Sequence, residues 1–218
     1  MRSPTIAGMR VTKNDHACVT IQTDQTTVVI DPGGIGEAPD LSGVDGVLVT
    51  HVHFDHFVPE TLIEALAQNG TLQIWAPPAV ADQLGDSDRV HAVTDGDEFT
   101  IGDLQVAVRG EKHARMHPDA EPDQNVGYLI DSRVFHPGDQ LTVVGDLDLL
   151  LAPVNAPWLR AVDLIEYVRE VRPKRIIAIH EGLLNDVGLS VADNILRIIG
   201  DDIDVTAERV TPGTTIDV

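Results

Sequence analysis

The sequence LVTHVHFDHF, at residues 48–57, places three histidines around one aspartate directly after an apolar run. Neutral imidazole and carboxylate groups are the ligands that zinc and similar transition metals favour. In a tight loop, residues two positions apart can face the same side, so His51 and His53 are suited to one ion. Asp55 and His56, one step further along, can face a neighbouring site. The stretch therefore predicts metal binding at the end of a buried strand.

Other ligand-type residues also follow apolar runs. Asp139 ends RVFHPGD, His180 ends KRIIAIH, and Asp31 follows the apolar run in VVIDPGG. In α/β sheets, reactive groups collect at the carboxyl ends of strands, where loops converge on one crevice. With His113, Asp139 and His180, the chain offers seven candidate ligands, which is too many for one tetrahedral ion. We therefore predict two divalent ions that share a bridging carboxylate.

Short β-rich runs alternate with helical patterns along the chain. The first two strands are predicted as a hairpin within residues 16–34. Further strands are predicted between turn residues, within 43–50, 72–77, 90–110, 126–139, 146–154 and 174–180. Helices are predicted at 59–70, 158–173 and 191–200, and a closing strand pair at 209–218. The apolar side of the second helix is expected to comprise Leu159, Val162, Ile165, Val168 and Val171. This alternation predicts a layered, mixed α/β domain.

The composition limits the classes of partner. The chain has 218 residues, with 15 basic and 35 acidic side chains and a formal charge of −20. Such a surface repels phosphate backbones and anionic membranes, which argues against nucleic-acid and membrane binding. The length, with no linker, predicts one domain over residues 1–218.

Two features predict a cytoplasmic protein. The N-terminal MRSPTIAGMR lacks the apolar core of a signal peptide, and no apolar run is long enough to span a bilayer. The single cysteine, Cys18, cannot form an internal disulfide, which fits a reducing compartment.

The pattern HVHFDH resembles the signature of the metallo-β-lactamase superfamily, and Thr50 precedes it as is usual there. The resemblance spans nearly the whole chain, through the segments IDPG, GEKHA, PGD and AIH. It implies a four-layer αββα sandwich with two metal ions at one edge. The compact form is most similar to the small stand-alone hydrolases, which include relatives of ascorbate-6-phosphate lactonase and the phospholipase-D-type branch.

The resemblance also implies how the ligands divide between two ions. The first ion would be bound by His51, His53 and His113, the second by Asp55, His56 and His180, with Asp139 bridging both. Asp55 is the implied catalytic residue, which accepts or relays the proton of the metal-bound water. His117, four residues after His113, is an alternative third ligand of the first ion. Ligating histidines usually need partners that orient them, a role expected of His16, His136 and Asp31.

The activity that the resemblance implies is binuclear hydrolysis. A hydroxide held by two ions, zinc with manganese or iron as alternatives, would attack an ester, lactone or phosphodiester bond of a small molecule. The flavodiiron branch has glutamate where this chain has His53, which argues for hydrolysis over oxygen chemistry. The alternative function is a metal-binding or regulatory domain without turnover.

Overall fold

Two seven-stranded sheets organise the chain, and each combines parallel and antiparallel neighbours. The computed structural model describes residues 8–37 and 39–218. Residues 1–7, on which the prediction about a signal peptide partly depends, lie outside these ranges.

The first sheet is built mainly from the N-terminal half. Its strands are β1 (Arg10–Lys13), β2 (Val19–Gln22), β3 (Thr27–Ile30), β4 (Gly46–Leu48), β5 (Gln73–Ala76), β6 (Val90–Ala92) and the last strand of the chain, β14 (Thr215–Asp217). They lie in the order β14-β1-β2-β3-β4-β5-β6. The four strands from β3 to β6 are parallel, so their carboxyl ends lie at one edge of the sheet.

The second sheet has the same division into an antiparallel and a parallel half. Its strands are β7 (Glu98–Ile101), β8 (Leu104–Arg109), β9 (Gly127–Ile130), β10 (Val134–His136), β11 (Leu149–Pro153), β12 (Arg175–Ile179) and β13 (Thr206–Glu208). They lie in the order β13-β12-β11-β10-β9-β8-β7. The run from β10 to β13 is parallel.

Two pairs of helices cover the outer faces of the sheets. The pair α1 (Pro59–Gln68) and α2 (Pro78–Leu84) packs on the first sheet, and α3 (Ala161–Val171) and α4 (Asp186–Ile203) pack on the second. A third apolar cluster fills the space between the sheets, with Ile30 and Leu48 from one side and Tyr128 and Leu149 from the other. These layers form the αββα sandwich that the sequence predicts.

The predicted apolar side of α3 is wrong in part. The buried side chains are Leu164, Tyr167, Val168 and Val171, whereas Val162 is 47% exposed. A helix turns 100° per residue, so positions repeated every three residues drift by 60° per step and leave the buried face. The observed positions pair at separations of three residues (164 with 167, 168 with 171) and four residues (164 with 168, 167 with 171), which keeps the side chains on one face.

The predicted strand pair at 209–218 is also wrong, because only β14 lies in that segment. β14 pairs with β1, a strand that the sequence analysis omits, and β13 pairs with β12 in the other sheet. Helix α2 is a further omission: its seven residues are too few for an apolar period, although Pro78 at its start and Gly85 at its end are typical boundary residues. Within residues 8–37 and 39–218, every helix is too short or too polar to cross a bilayer.

Candidate metal centre

Loops from both sheets bring the predicted ligands to one edge of the sandwich. The segment from His51 to His56 follows β4 of the first sheet. From the second sheet, His113 lies after β8, Asp139 after β10 and His180 after β12. Because these loops meet where the two sheets adjoin, residues up to 129 positions apart in the sequence (51 to 180) come together.

The ligand-type side chains form two adjacent clusters. The first cluster consists of His51, His53, His113 and Asp139, and the second of His16, Asp55, His56 and His180. Within each cluster, the candidate ligand atoms lie within 4.8 Å of one another. The structure thus brings together all seven residues predicted as ligands and adds His16. His117 is exposed on its loop and belongs to neither cluster.

Asp139 lies between the two clusters. Its Oδ2 is 3.3 Å from Nε2 of His113 in the first cluster. Its Oδ1 is 3.3 Å from Nε2 of His56 and 3.2 Å from Nε2 of His180 in the second. A single carboxylate therefore directs one oxygen toward each cluster, which is the arrangement that a bridging ligand requires.

The donor set fits metal ions because buried ligand atoms converge without partners. Nε2 of His51, His56, His113 and His180, with Oδ1 of Asp139, are buried and make no hydrogen bond. A buried polar atom without a partner is costly, and one such atom in each of five neighbouring residues would be unusual in a site that binds nothing. Divalent cations would satisfy all five atoms.

The other ring nitrogen of each of these histidines is held in place. Nδ1 of His113 donates to the carbonyl of Ala114 at 2.6 Å, and Nδ1 of His180 donates to the carbonyl of Asn155. A carbonyl only accepts, so Nδ1 must carry a proton, and in the neutral ring that binds a metal ion the lone pair is on Nε2. Nδ1 of His56 approaches Oδ2 of Asp31 at 2.7 Å in the same way. The hydrogen bonds therefore select the tautomers that bind metal.

His53 is oriented in the opposite sense. Its Nε2 lies 3.2 Å from Oδ2 of Asp123, in the loop that follows His113. Nδ1 is then the nitrogen left to face a cation. This role of Asp123 is not predicted from the sequence, because a contact between residues 70 positions apart leaves no local signal.

His16 supports Asp55 although it lies within the second cluster. The backbone N–H of Gly182 donates to Nδ1 of His16 at 3.1 Å, so this nitrogen carries the lone pair. Nε2 must then carry the proton, and it lies 3.1 Å from Oδ2 of Asp55. Burial lowers the pKa of His16, which keeps the ring neutral. His16 therefore orients a ligand and has no free nitrogen for an ion.

Asp31 and His136 also bind groups next to the ligands. Asp31 is fully buried and accepts hydrogen bonds from the N–H and hydroxyl of Thr50, both at 2.7 Å, besides its contact with His56. Both ring nitrogens of His136 are used, by the carbonyl of Ala17 and the N–H of Gly138. His136 thereby fixes the turn that leads into Asp139.

Three residues of the centre adopt left-handed backbone conformations. His16, Asp31 and His180 have φ angles of 45°, 50° and 68°. This region costs a non-glycine residue roughly 1–2 kcal/mol. The hydrogen bonds of these three side chains hold the backbone there, and such strain is typical of functional sites.

The electrostatics of the second cluster favour a positive charge. Burial alone would lower the pKa of His56, but the carboxylates of Asp31 and Asp139 raise it to about 10. For His180, burial is again overcome, and Asp139 and Asp55 raise the pKa to about 9. Burial would raise the pKa of Asp55, yet His16 and His180 hold it well below its usual range. The acids remain anionic and are suited to bind cations.

A groove and three exposed apolar side chains lie next to the segments that carry the candidate ligands. Trp158 forms one wall of the groove, together with Lys112, Arg115, Gln140 and Thr142. Three large apolar side chains lie on the loops that carry ligands and are strongly exposed: Phe54 (66%), Met116 (59%) and Leu183 (63%).

Known proteins share both the sequence pattern and the fold. A protein-family model described as a β-lactamase superfamily domain matches residues 10–180. Protein Rv0786c of Mycobacterium tuberculosis is 34% identical over 183 residues, covering 81% of this chain and 85% of that protein. The metal-dependent hydrolase YtkL of Bacillus subtilis, a member of the group UPF0173, is 24% identical and covers 79% and 85%.

Solved structures with low identity show the same fold. The metallo-β-lactamase fold protein YhfI of Bacillus subtilis aligns with a TM-score of 0.75 at 15% identity, over 97% of this chain and all of that one. CmlA of Streptomyces venezuelae, a diiron β-hydroxylase, aligns with a TM-score of 0.72 at 18% identity, over all of this chain and 55% of that one. With the family match over residues 10–180 and the mycobacterial relative, these findings show that the chain belongs to the β-lactamase superfamily.

Proposed function

We propose that this member of the superfamily is a binuclear metal-dependent hydrolase of a small-molecule ester or lactone, with phosphodiesters as a second substrate class. The observation that carries the proposal is the convergence of unpartnered ligand atoms in two clusters joined by Asp139. Relatives such as YtkL, named metal-dependent hydrolases, support the reaction class.

In this proposal, His51, His53 and His113 hold the first ion, and Asp55, His56 and His180 hold the second. Bound zinc would polarise the scissile bond and acidify a water molecule to a pKa of roughly 7. Asp139 would be the ligand common to both ions, and with Asp55 it would contribute two negative charges against four positive ones. The remaining positive charge suits a carbonyl or phosphoryl oxygen of the substrate.

The proposed role of Asp55 as proton acceptor is weaker than its role as ligand. The hydrogen bond with His16 and the nearby ring of His180 hold its pKa well below the usual range, and a carboxylate of low pKa is a poor base. The same contacts hold Oδ2 of Asp55 at 3.4 Å from Nε2 of His180. This distance suits two atoms that would bind the same ion.

The surroundings favour esters and lactones over phosphodiesters. Phe54, Met116 and Leu183 present apolar surface beside the ligands, which suits an acyl chain or ring. Arg115 donates to the carbonyl of Pro118, and Lys112 approaches Glu121 at 3.8 Å. Neither cation is arranged as a clamp for phosphate oxygens.

Oxygen chemistry and a binding role without turnover are the competing functions. The likeness to the diiron enzyme CmlA is one of fold alone and does not favour its reaction here. His53 in the first cluster, in place of glutamate, supports hydrolysis.

A single domain over residues 1–218 is part of the proposal. The pairing of the last strand, β14, with β1 supports it. A cytoplasmic location stays a prediction.

The test combines metal content with a substrate screen. Protein prepared without chelator and supplied with zinc or manganese should contain two ions per chain by elemental analysis. It should hydrolyse p-nitrophenyl esters or lactones faster than bis-p-nitrophenyl phosphate, and His53→Ala should abolish the activity while His117→Ala retains it. Two bound ions with no hydrolysis of any class would favour the binding role.

A further inference from the structure

We infer that Trp158 is a positioning residue for the carboxylate of Asp139, an inference that rests on the proposed two-metal centre. The indole Nε1–H of Trp158 donates to Oδ2 of Asp139 at 3.0 Å. The same ring meets His113 edge to face, with 6.0 Å between the ring centres. Trp158 thus contacts both the bridging carboxylate and a histidine of the first cluster.

Asp139 needs such a contact because its own torsion does not fix the carboxylate. The backbone of Asp139 is held by two hydrogen bonds, from its N–H to Asn125 and from the N–H of Ala114 to its carbonyl. The last side-chain torsion of aspartate, however, has broad minima, so the carboxylate plane can rotate. Among the described residues, Trp158 is the one side chain that forms a hydrogen bond with this carboxylate, and three histidines approach it at 3.2–3.3 Å.

The chemistry of indole suits this position. Its N–H only donates, so Trp158 cannot bind a metal ion or accept a proton from the ligands. It also brings no charge, which leaves the full negative charge of Asp139 for the cations. Lysine or arginine in its place would neutralise part of that charge. The hydrogen bond to Oδ2 leaves Oδ1 without a partner and directed at His56 and His180.

A role limited to packing fits the surroundings of Trp158 less well. The ring is half-buried and belongs to none of the three apolar clusters found among residues 8–37 and 39–218. The next residue, Leu159, packs against the cluster under α3. The ring lies instead in the wall of the groove beside the centre.

The experiment compares Trp158→Phe with Trp75→Phe, which changes the only other tryptophan. Trp75 stacks on Phe99 between the sheets and serves as the matched control. Metal-free proteins are titrated with Co²⁺, followed by visible absorption, and with Zn²⁺ against a competing chelator. We expect Trp158→Phe to weaken the binding of at least one ion about 10- to 100-fold and to change the Co²⁺ spectrum. The control should match the wild type in both.

The outcomes separate this inference from the proposed function. If the wild type binds fewer than two ions, the two-metal centre itself is wrong. If the wild type binds two ions and Trp158→Phe keeps both affinities and the Co²⁺ spectrum, the inference is overturned. This holds even if the metal-free variant unfolds at a lower urea concentration, because a loss of stability alone indicates a packing role. Should Trp158→Phe not fold, Trp75→Phe leaves Trp158 as the sole tryptophan, whose fluorescence can be excited selectively at 295 nm. Its emission should then be quenched by the first two equivalents of Co²⁺, and unchanged emission would overturn the inference.

Discussion

Asp123 shows how an exposed acid can determine the geometry of a buried centre. It lies in a loop whose acidic sequence is typical of solvated surface, yet its carboxylate contacts Nε2 of His53. The contact pairs a carboxylate with the nitrogen that does not face the ion, an arrangement that orients ligating histidines in many metal sites.

We predict that Asp123→Ala weakens binding of the first ion by about 10-fold. Loss of a residue that orients a ligating histidine typically lowers metal affinity about 10- to 100-fold, and we expect the lower value because the carboxylate of Asp123 is largely exposed. Zinc affinity measured by chelator competition checks this. Asp119→Ala, an exposed acid of the same loop, makes the same change in charge and should leave both affinities unaltered. Equal losses in the two variants would mean that charge alone is responsible.

Cys18 is inaccessible in the folded protein. Its thiol is buried, and burial raises its pKa to about 12. Below that pH the thiol stays protonated, and the thiolate is the reactive form. We predict no reaction with DTNB at pH 8 in native protein and one equivalent in urea. Fast labelling without denaturant would instead show that the start of β2 opens readily.

The convergence of the seven candidate ligands could be predicted from the sequence because each follows a strand or belongs to a compact motif. The groups that orient them could not, because they depend on contacts across the fold. The carbonyl of Asn155 lies 25 residues from His180, and Ala17 lies 119 residues from His136. A backbone carbonyl carries no side-chain signal at all, so its role appears only in three dimensions.

Among the elements, local patterns predicted the first hairpin and the longer helices, and long-range pairing decided the rest. The hairpin predicted within residues 16–34 forms from β2 and β3, which pair antiparallel. The pairing of β14 with β1 joins residues about 200 positions apart, which no short segment can indicate. The same limit explains why the ion pair between Lys13 of β1 and Glu181 after β12 was not foreseen.

This ion pair links the two sheets, and we predict strong coupling between its members. Lys13 and Glu181 are both buried, with 3.1 Å between Nζ and Oε1, and burial raises the pKa of Glu181 despite the nearby ammonium. Glu181→Leu leaves a buried ammonium without its counter-ion, so metal-free protein should lose about 3–5 kcal/mol of unfolding free energy. Urea denaturation measures this loss.

The double variant Lys13→Met/Glu181→Leu provides the control. Replacing both members with apolar side chains of similar size is often neutral or stabilising, so the double variant should recover most of the loss. Additive destabilisation would show that packing, and not the unpaired charge, sets the stability at this position.

At the scale of the whole molecule, the candidate metal centre lies where the two sheets adjoin. The first sheet supplies the candidate ligands after β4, and the second supplies His113, Asp139 and His180. An ion that binds only the folded arrangement stabilises it by mass action, by about 2.7 kcal/mol when its free concentration is 100 times the dissociation constant. We therefore predict that zinc raises the melting temperature of chelator-treated protein.

The formal charge of −20 offers a competing reason for such a rise, because any divalent cation reduces repulsion among the acidic side chains. Mg²⁺ separates the two effects, since it prefers oxygen ligands and has little affinity for imidazole. At equal ionic strength, zinc should raise the melting temperature well above the value in Mg²⁺. In His180→Ala, the difference between the melting temperatures in zinc and in Mg²⁺ should be much smaller, because His180 lies in the second cluster. In His117→Ala the difference should be unchanged, because His117 lies in neither cluster. If zinc and Mg²⁺ stabilise the wild type equally, general screening explains the effect, and the sheets are not joined through metal ions.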